Sequence, residues 1–221
     1  MGDSCLADAL TFIRAQTALK PPSAVPELLL HLADEALPLW QATEAELQQS
    51  NLPPPYWAFA WPGGQALARY LLDNPDLAAG KRVLDLGAGC GITSLAAAKA
   101  GAVSVLAADI DVYACTAITL NAEANGLPQV RALSTDLLAS PPPESIDLLL
   151  VGDMCYEKPL AEKAIAWGRI VAARGVPVLL ADPGRAYVPK TGLIELARYT
   201  IPTVLDLEDR ETRETVIYAL T

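Results

Sequence analysis

The stretch that most constrains this chain is Val83-Leu84-Asp85-Leu86-Gly87-Ala88-Gly89-Cys90-Gly91. It reads as a short buried strand that runs into a glycine turn, with Ile92 to Lys99 following as a helix of small residues. Glycine at 87, 89 and 91 lets the backbone turn sharply and approach a ligand with no Cβ in the way. A strand, glycine turn and helix in that order is the usual entry to a nucleotide-type site in an open α/β sheet.

The spacing separates the candidate ligands. A dinucleotide fingerprint puts its third glycine three residues after the second, at position 92, but Ile92 stands there and the third glycine comes at 91. Asp85 lies two residues before the first glycine. A carboxylate there repels a pyrophosphate and attracts a cation. S-adenosylmethionine carries an ammonium and a sulfonium and no phosphate, so it fits this pattern better than NAD. A plain βα turn that binds nothing would leave three glycines weakening a helix start without compensation.

Around this turn, short apolar strands alternate with helices. The predicted strands are Arg82–Leu86, Val103–Ala108, Gln129–Leu133, Ile146–Val151 and Val176–Ala181, and the helices between them are Ile92–Lys99, Val112–Glu123 and Pro159–Ala172. That alternation specifies a doubly wound parallel sheet. Ile201–Leu205 and Thr215–Leu220 read as two more strands, with too few residues between them for a crossover helix, so this pair is antiparallel. The expected fold is α/β, with a seven-stranded, mostly parallel sheet and a C-terminal antiparallel hairpin. Residues 1–55 are read as a helical, Pro-rich extension and residues 56–221 as the domain that carries the chemistry.

The strand ends are acidic. Asp85, Asp109, Asp136, Asp153 and Asp182 fall at or just beyond the ends of the five parallel strands, the edge where open α/β sheets bind ligands. Asp109 follows Gly89 by 20 residues, a spacing at which a carboxylate accepts ribose hydroxyls. Asp136 either accepts the adenine amino group or caps the following turn, and Asp111 reads as the cap of the next helix. Asp153 and Tyr156 follow the fourth strand, on the side expected for substrate. For methyl transfer to an amine, Asp153 would orient the incoming nitrogen without deprotonating it, because a carboxylate raises an amine's pKa. Tyr156 would wall the channel. One histidine, His31, lies far from this edge in sequence, which disfavours Ser-His-Asp chemistry.

A second informative stretch is Tyr56-Trp57-Ala58-Phe59-Ala60-Trp61-Pro62-Gly63-Gly64-Gln65. Aromatics packed this densely are a core plug or a pocket wall, and a neighbouring cofactor loop favours the wall. Trp61 is the first choice for a cofactor contact, since an aromatic face suits a sulfonium. Upstream, Ser4–Leu19 has helical spacing with Leu6, Leu10, Ile13 and Leu19 on one face, ended by Lys20-Pro21-Pro22. Residues 1–60 hold seven acids and two bases, half of the chain's net charge of −10. This is a solvated face or an arm that draws in a basic partner. His31, inside Leu28-Leu29-Leu30-His31-Leu32, reads as a partly buried structural histidine. The acidic balance argues against nucleic-acid binding. Four cysteines without a CxxC pair beside a single histidine, no membrane-length apolar run and no leader-like start lead to the expectation of a cytoplasmic, metal-free protein off the membrane; a monomer is expected, though no residue pattern fixes the oligomeric state.

Taken together these motifs resemble the seven-strand, Rossmann-like S-adenosylmethionine-dependent methyltransferases. Asp153-Met154-Cys155-Tyr156 matches the Asp-x-x-Tyr signature of a subgroup that methylates protein lysines. The aromatic-Gly-Gly-Gln stretch, Asp109-Ile110-Asp111 and Asp182-Pro183-Gly184-Arg185 are similar to the electron transfer flavoprotein β-subunit lysine methyltransferases. The resemblance implies a cofactor set of Trp61, Asp85, Gly87, Gly89, Asp109, Ile110 and Asp136, and a substrate-side pair, Asp153 and Tyr156. It implies S-adenosylmethionine as methyl donor, S-adenosylhomocysteine as product and the flavoprotein β subunit as protein substrate. The alternative is the same chemistry on another protein amine, an N-terminal one or a ribosomal-protein lysine, or on a small-molecule acceptor.

Overall fold

The computed structural model describes residues 2–34, 54–203, 208 and 210–221, with side chains from residue 8 onward. The parallel strands are β3 (Arg82–Leu86), β4 (Ser104–Asp109), β5 (Val130–Ser134), β6 (Leu148–Gly152) and β7 (Val178–Asp182), numbered after a small N-terminal pair, β1 (Ala18–Lys20) and β2 (Leu30–Leu32). The antiparallel pair is β8 (Leu193–Pro202) and β9 (Thr212–Leu220). Among the described residues the main sheet has seven strands in the order β5-β4-β3-β6-β7-β9-β8. β3 pairs in parallel with β4 on one side and β6 on the other, so the strand order reverses at β3. A doubly wound sheet opens a ligand crevice at that reversal.

Alternate residues of each strand feed opposite apolar layers, which is why the strands read as nearly continuous hydrophobic runs. Val83, Leu148, Leu150 and Leu179 pack with helices α2 (Pro62–Asp73), α3 (Ile92–Lys99) and α4 (Val112–Ala124). Leu84, Leu86, Leu149 and Leu180 face the other way, against α5 (Lys158–Ala173). Alanines fill much of α3, so it lies close to the sheet. On the order of 2 kcal/mol follows from each fully buried Leu side chain, so this two-layer packing is the main stabilising term.

The N-terminal segment packs onto the same body. A helix, α1 (Gly2–Gln16), rests on α4, with Ile13 fully buried and Phe12 edge-on to Tyr113 at 5.5 Å. It ends three residues before the predicted Leu19. The residues before Pro21 favour extended backbone, and Ala18–Lys20 pairs antiparallel with Leu30–Leu32 instead. Leu19 is therefore exposed rather than on the helix face. His31 sits in that small pair, its Nδ1 3.1 Å from Thr17 Oγ1. Burial, with Arg14 adding to it, holds its pKa below the usual imidazole value, in keeping with a structural histidine. Glu35, Glu44 and Glu46 of the acidic stretch, and the Leu6 side chain, lie outside the described residues.

The C-terminal hairpin is antiparallel as expected, but its first strand runs Leu193–Pro202 rather than Ile201–Leu205. β8 is the sheet edge. Most of its side chains are exposed and Glu195, Arg198 and Thr200 interrupt its apolar pattern, so no buried face betrays it in sequence. The predicted end at Leu205 lies outside the described residues. Among the described residues no helix is long and apolar enough to cross a membrane.

Candidate active site

A cleft of about 700 Å³ opens over the carboxyl ends of β3, β4 and β6. Its floor is the glycine turn. Gly87 has φ of +68°, and a Cβ there would lie 2.3 Å from Met154 Sδ, so the turn needs glycine both for its backbone and for the methionine above it. The Gly87 and Ala88 N–H groups donate to the Ala108 carbonyl at 2.9 and 3.1 Å, tying the turn to β4. Asn121 of α4, fully buried, donates from Nδ2 to the Cys90 carbonyl at 2.8 Å and accepts the His31 N–H at 2.7 Å. It fastens the turn to the N-terminal strand pair, a role the sequence reading did not find.

The predicted cofactor residues Trp61, Asp85, Gly87, Gly89, Asp109, Ile110 and Asp136 all border this cleft. Asp109 is pinned by the backbone: Oδ2 accepts the Gly89 N–H at 2.9 Å and Oδ1 the Asp111 N–H at 3.0 Å. Each carboxylate oxygen keeps a further lone pair for a ligand hydroxyl. Asp85 shares the face of β3 that packs under α3, and the Ser94 hydroxyl donates to its Oδ2 at 2.7 Å. Burial pushes Asp85 up to about 7, with the Ser94 hydrogen bond pulling the other way. Asp136 caps the single turn Leu137–Ala139, its Oδ1 accepting the Leu138 N–H at 3.0 Å. Asp111 caps α4 through the Tyr113 N–H at 2.8 Å. Ile110 stands 73% exposed between them, an apolar surface beside two carboxylates. A ligand with a cationic head, a sugar diol and an apolar ring matches this donor set, and S-adenosylmethionine has all three.

The aromatic stretch serves as plug and wall together. Trp57 and Phe59 are buried, and Trp57 stacks on Tyr113 at 6.1 Å with 17° between the planes. Trp61 donates from Nε1 to the Tyr56 carbonyl at 2.9 Å, and the Arg185 guanidinium lies 6.0 Å from its ring centre.

At the far end of the cleft, Asp153 follows β6 directly with φ of +53°, the left-handed region that a non-glycine residue seldom enters. Its N–H donates to the Ala181 carbonyl at 3.0 Å. Its Oδ2 accepts the Gly64 N–H at 2.8 Å, so Asp153 caps α2 from another element where Trp61, the residue at that end, supplies no side-chain cap. A Cβ on Gly63 would lie 2.6 Å from that same oxygen and 2.7 Å from the Ala181 carbonyl. Gly63 thus leaves room for the close approach of Asp153 while Gly64 supplies the N–H that it accepts, a link between distant motifs that no local pattern announces. Asp153 Oδ1 is buried with no hydrogen-bond partner among the described residues. Burial pushes Asp153 up to about 7, against the pull of Arg185 and with Asp182 adding to the rise. Tyr156 borders the same cleft, 5.6 Å from the Tyr56 ring centre, and burial, with Tyr56 adding, pushes its phenol up to about 12.

Asp182 departs from the expected row of acids. It is fully buried, does not border the cleft, and accepts the Arg185 N–H at 2.6 Å. The sequence reading passed over Arg185 as a site residue, although it stands in the Asp-Pro-Gly-Arg stretch that carries the resemblance.

Known proteins share this fold and much of this sequence. The family model described as ribosomal protein L11 methyltransferase matches residues 65–150. The magnesium protoporphyrin IX methyltransferase of Synechocystis, solved with S-adenosylmethionine bound, shares the fold at a TM-score of 0.51 and 15% identity, over 86% of this chain and all of that one. The electron transfer flavoprotein β-subunit lysine methyltransferase of Rattus norvegicus is 43% identical over 185 residues, 81% of this chain and 71% of the rat protein. The homolog of that enzyme in Caenorhabditis elegans is 36% identical over 212 residues, 84% of this chain and 85% of the worm protein. With relatives this similar over most of both chains, the protein belongs to the electron transfer flavoprotein β-subunit lysine methyltransferase family.

Proposed function

We propose that this chain transfers methyl groups from S-adenosylmethionine to lysine side chains of the electron transfer flavoprotein β subunit. The observation that carries the reading is Asp153: a strained, helix-capping carboxylate with one buried oxygen left without a hydrogen-bond partner, at the acceptor end of a cleft lined by acids and glycine N–H groups. Asp85, Asp109 and Asp136 with the glycine turn would hold the cofactor, Ile110 would cover its ring, and Trp61 would face its charged end. When bound, S-adenosylmethionine supplies an electrophilic methyl group on a positively charged sulfur.

The chain's own residues do the rest. Asp153 Oδ1 accepts a hydrogen bond from the incoming amine and fixes the direction of its lone pair. Because a carboxylate stabilises the ammonium form, Asp153 aligns the nitrogen, and the proton leaves to water. Tyr156, held as a neutral phenol, walls the passage beside it. The L11-type match ends at residue 150, short of Asp153 and Tyr156, so it covers the cofactor half and does not favour a ribosomal-protein acceptor.

The test is incubation with labelled S-adenosylmethionine, purified flavoprotein and a cell lysate, read by mass spectrometry. Label on β-subunit lysines supports both chemistry and partner. Label on another protein keeps the chemistry and discards the partner. No label, with S-adenosylhomocysteine still bound in calorimetry, discards protein methylation.

A further inference from the structure

Asp153 is fixed on one oxygen, while the other is buried without a hydrogen-bond partner among the described residues and lies close to one cation. The Arg185 guanidinium is 3.7 Å from Asp153 Oδ1, inside the range of strong Coulomb attraction but beyond a hydrogen bond. That position is not slack. The Arg185 N–H donates to Asp182 Oδ1 at 2.6 Å, and the guanidinium donates to Glu208 Oε1 at 2.6 Å while lying over Trp61. Glu208 belongs to the connection between β8 and β9 and is only 4% exposed. Arg213 Nε donates to its other oxygen at 3.0 Å, and a second Arg213 nitrogen donates to its carbonyl at 2.8 Å. The C-terminal hairpin thus reaches back to the acceptor end of the cleft through one salt-bridged chain.

We propose that Arg185, clamped by Glu208, is a positioning residue that favours the carboxylate form of Asp153 while making no hydrogen bond to Oδ1, so that its lone pairs remain for the acceptor amine. This deepens the acceptor-side assignment of Asp153 and rests on it. The balance of groups around Asp153 gives the argument. α2 offers the N–H groups of Gly63 and Gly64, β7 and its following loop offer Asp182 and Arg185, and the Asp153 loop itself adds Cys155. Cys90 of the glycine turn also feels the carboxylate. Among the described groups acting on it, Arg185 alone brings a full positive charge, whereas Asp182 and burial both favour protonation. A protonated Asp153 would meet the lysine nitrogen with a neutral acid and hold the Gly64 N–H with a weaker, uncharged acceptor. Direct contact with Arg185 would instead occupy Oδ1, and the pull of Glu208 keeps the guanidinium back.

The experiment is a carbon NMR titration of aspartate-labelled protein, with the Asp153 carboxyl assigned by Asp153→Asn, in the wild type, Arg185→Gln, Arg185→Lys and Glu208→Gln. Arg185→Gln leaves Glu208 paired with Arg213, and a thermal melt with S-adenosylhomocysteine binding checks its fold. Its Asp153 midpoint is expected to rise by about one pH unit or more, the scale of losing an opposite charge at this range. Arg185→Lys should restore most of that shift, and Glu208→Gln should move the midpoint down. An unchanged midpoint in Arg185→Gln overturns the proposal, and so does an unchanged or higher midpoint in Glu208→Gln should the first variant not fold. The acid limb of the methylation rate against pH should move in parallel with the Arg185→Gln midpoint. A stationary limb overturns the positioning role. If the wild type fails to methylate the flavoprotein, the substrate reading falls, while the titration still decides what Arg185 does to Asp153.

Discussion

Replacing Gly63 by alanine tests the link between the aromatic-Gly-Gly stretch and Asp153. The added methyl would stand 2.6 Å from Asp153 Oδ2, 2.7 Å from its Cγ and 2.7 Å from the Ala181 carbonyl. The carbonyl is backbone in β7 and cannot swing aside, so either the start of α2 or the Asp153 carboxylate must move. Overpacking of this kind costs about 1–3 kcal/mol. Losing a charge-assisted hydrogen bond from Gly64 adds roughly 1.5–3 kcal/mol if the carboxylate leaves its cap. Alanine's better helix propensity returns about 0.5–1 kcal/mol. With the cap lost, the net is a loss of about 1.5–5.5 kcal/mol. At about 2–4 °C per kcal/mol for a domain of this size, that is roughly 3–22 °C in Tm. Cofactor affinity should stay near wild type, because the glycine turn and Asp109 are untouched, whereas methyl transfer should fall at least tenfold. Gly64→Ala is the comparison, since its Cβ meets Ile92 Cγ2 at 3.0 Å and no atom of Asp153. Thermal melts, calorimetry with S-adenosylhomocysteine and a methylation assay read the three quantities. A Gly63→Ala protein with wild-type Tm and full turnover would show that Asp153 does not depend on this close approach.

Three further outcomes follow from the same geometry. Asp109→Ala leaves the Gly89 and Asp111 N–H groups without their acceptor and should weaken S-adenosylhomocysteine binding by about 1–3 kcal/mol; an unchanged Kd means the cofactor lies elsewhere. Trp57→Ala removes a buried ring stacked on Tyr113 and should cost about 3–5 kcal/mol, with α1 losing its seat; a melt within a degree of wild type refutes that packing role. The ligand-free protein should lose stability as pH rises from about 4 to 7. Asp85 and Asp153 are pushed up to about 7 and Asp111 to about 6, so the folded state keeps protons that the unfolded chain has released. Asp147, held low by its hydrogen bonds with Arg82, acts only below that window. A Tm that stays flat or climbs between pH 5 and 7.5 would refute the raised carboxylates.

Much of the fold is legible because strands buried on both faces leave an unbroken apolar signal. The helix Ile92–Lys99 and the strand Arg82–Leu86 match their predicted bounds, and the other parallel strands fall within a residue or two of theirs. β8 is not legible in the sequence because an edge strand has no second apolar face to mark it. Helical spacing continues to Leu19, but the helix ends at Gln16 because the following prolines and a partner strand ten residues later decide its end. Asp136 reads in sequence as a ligand acceptor or a turn cap; one oxygen caps through the Leu138 N–H, and the residue also borders the cleft.

The sequence by itself determined the glycine turn, the alternating α/β order and the run of acids at strand ends, since these rest on local periodicity and on the few residue types a sharp turn tolerates. Only the tertiary structure decided which of those acids share a cleft. Strand order brings Asp85, Asp109 and Asp153 to one crevice, and it buries Asp182 behind Arg185. It alone joined Gly63-Gly64 to Asp153, 89 residues apart from Gly64, and Glu208 to Arg185 across 23 residues. The physical reason is that capping, close approach and desolvation depend on distance in space, and one chain's local pattern carries no record of what packs against it.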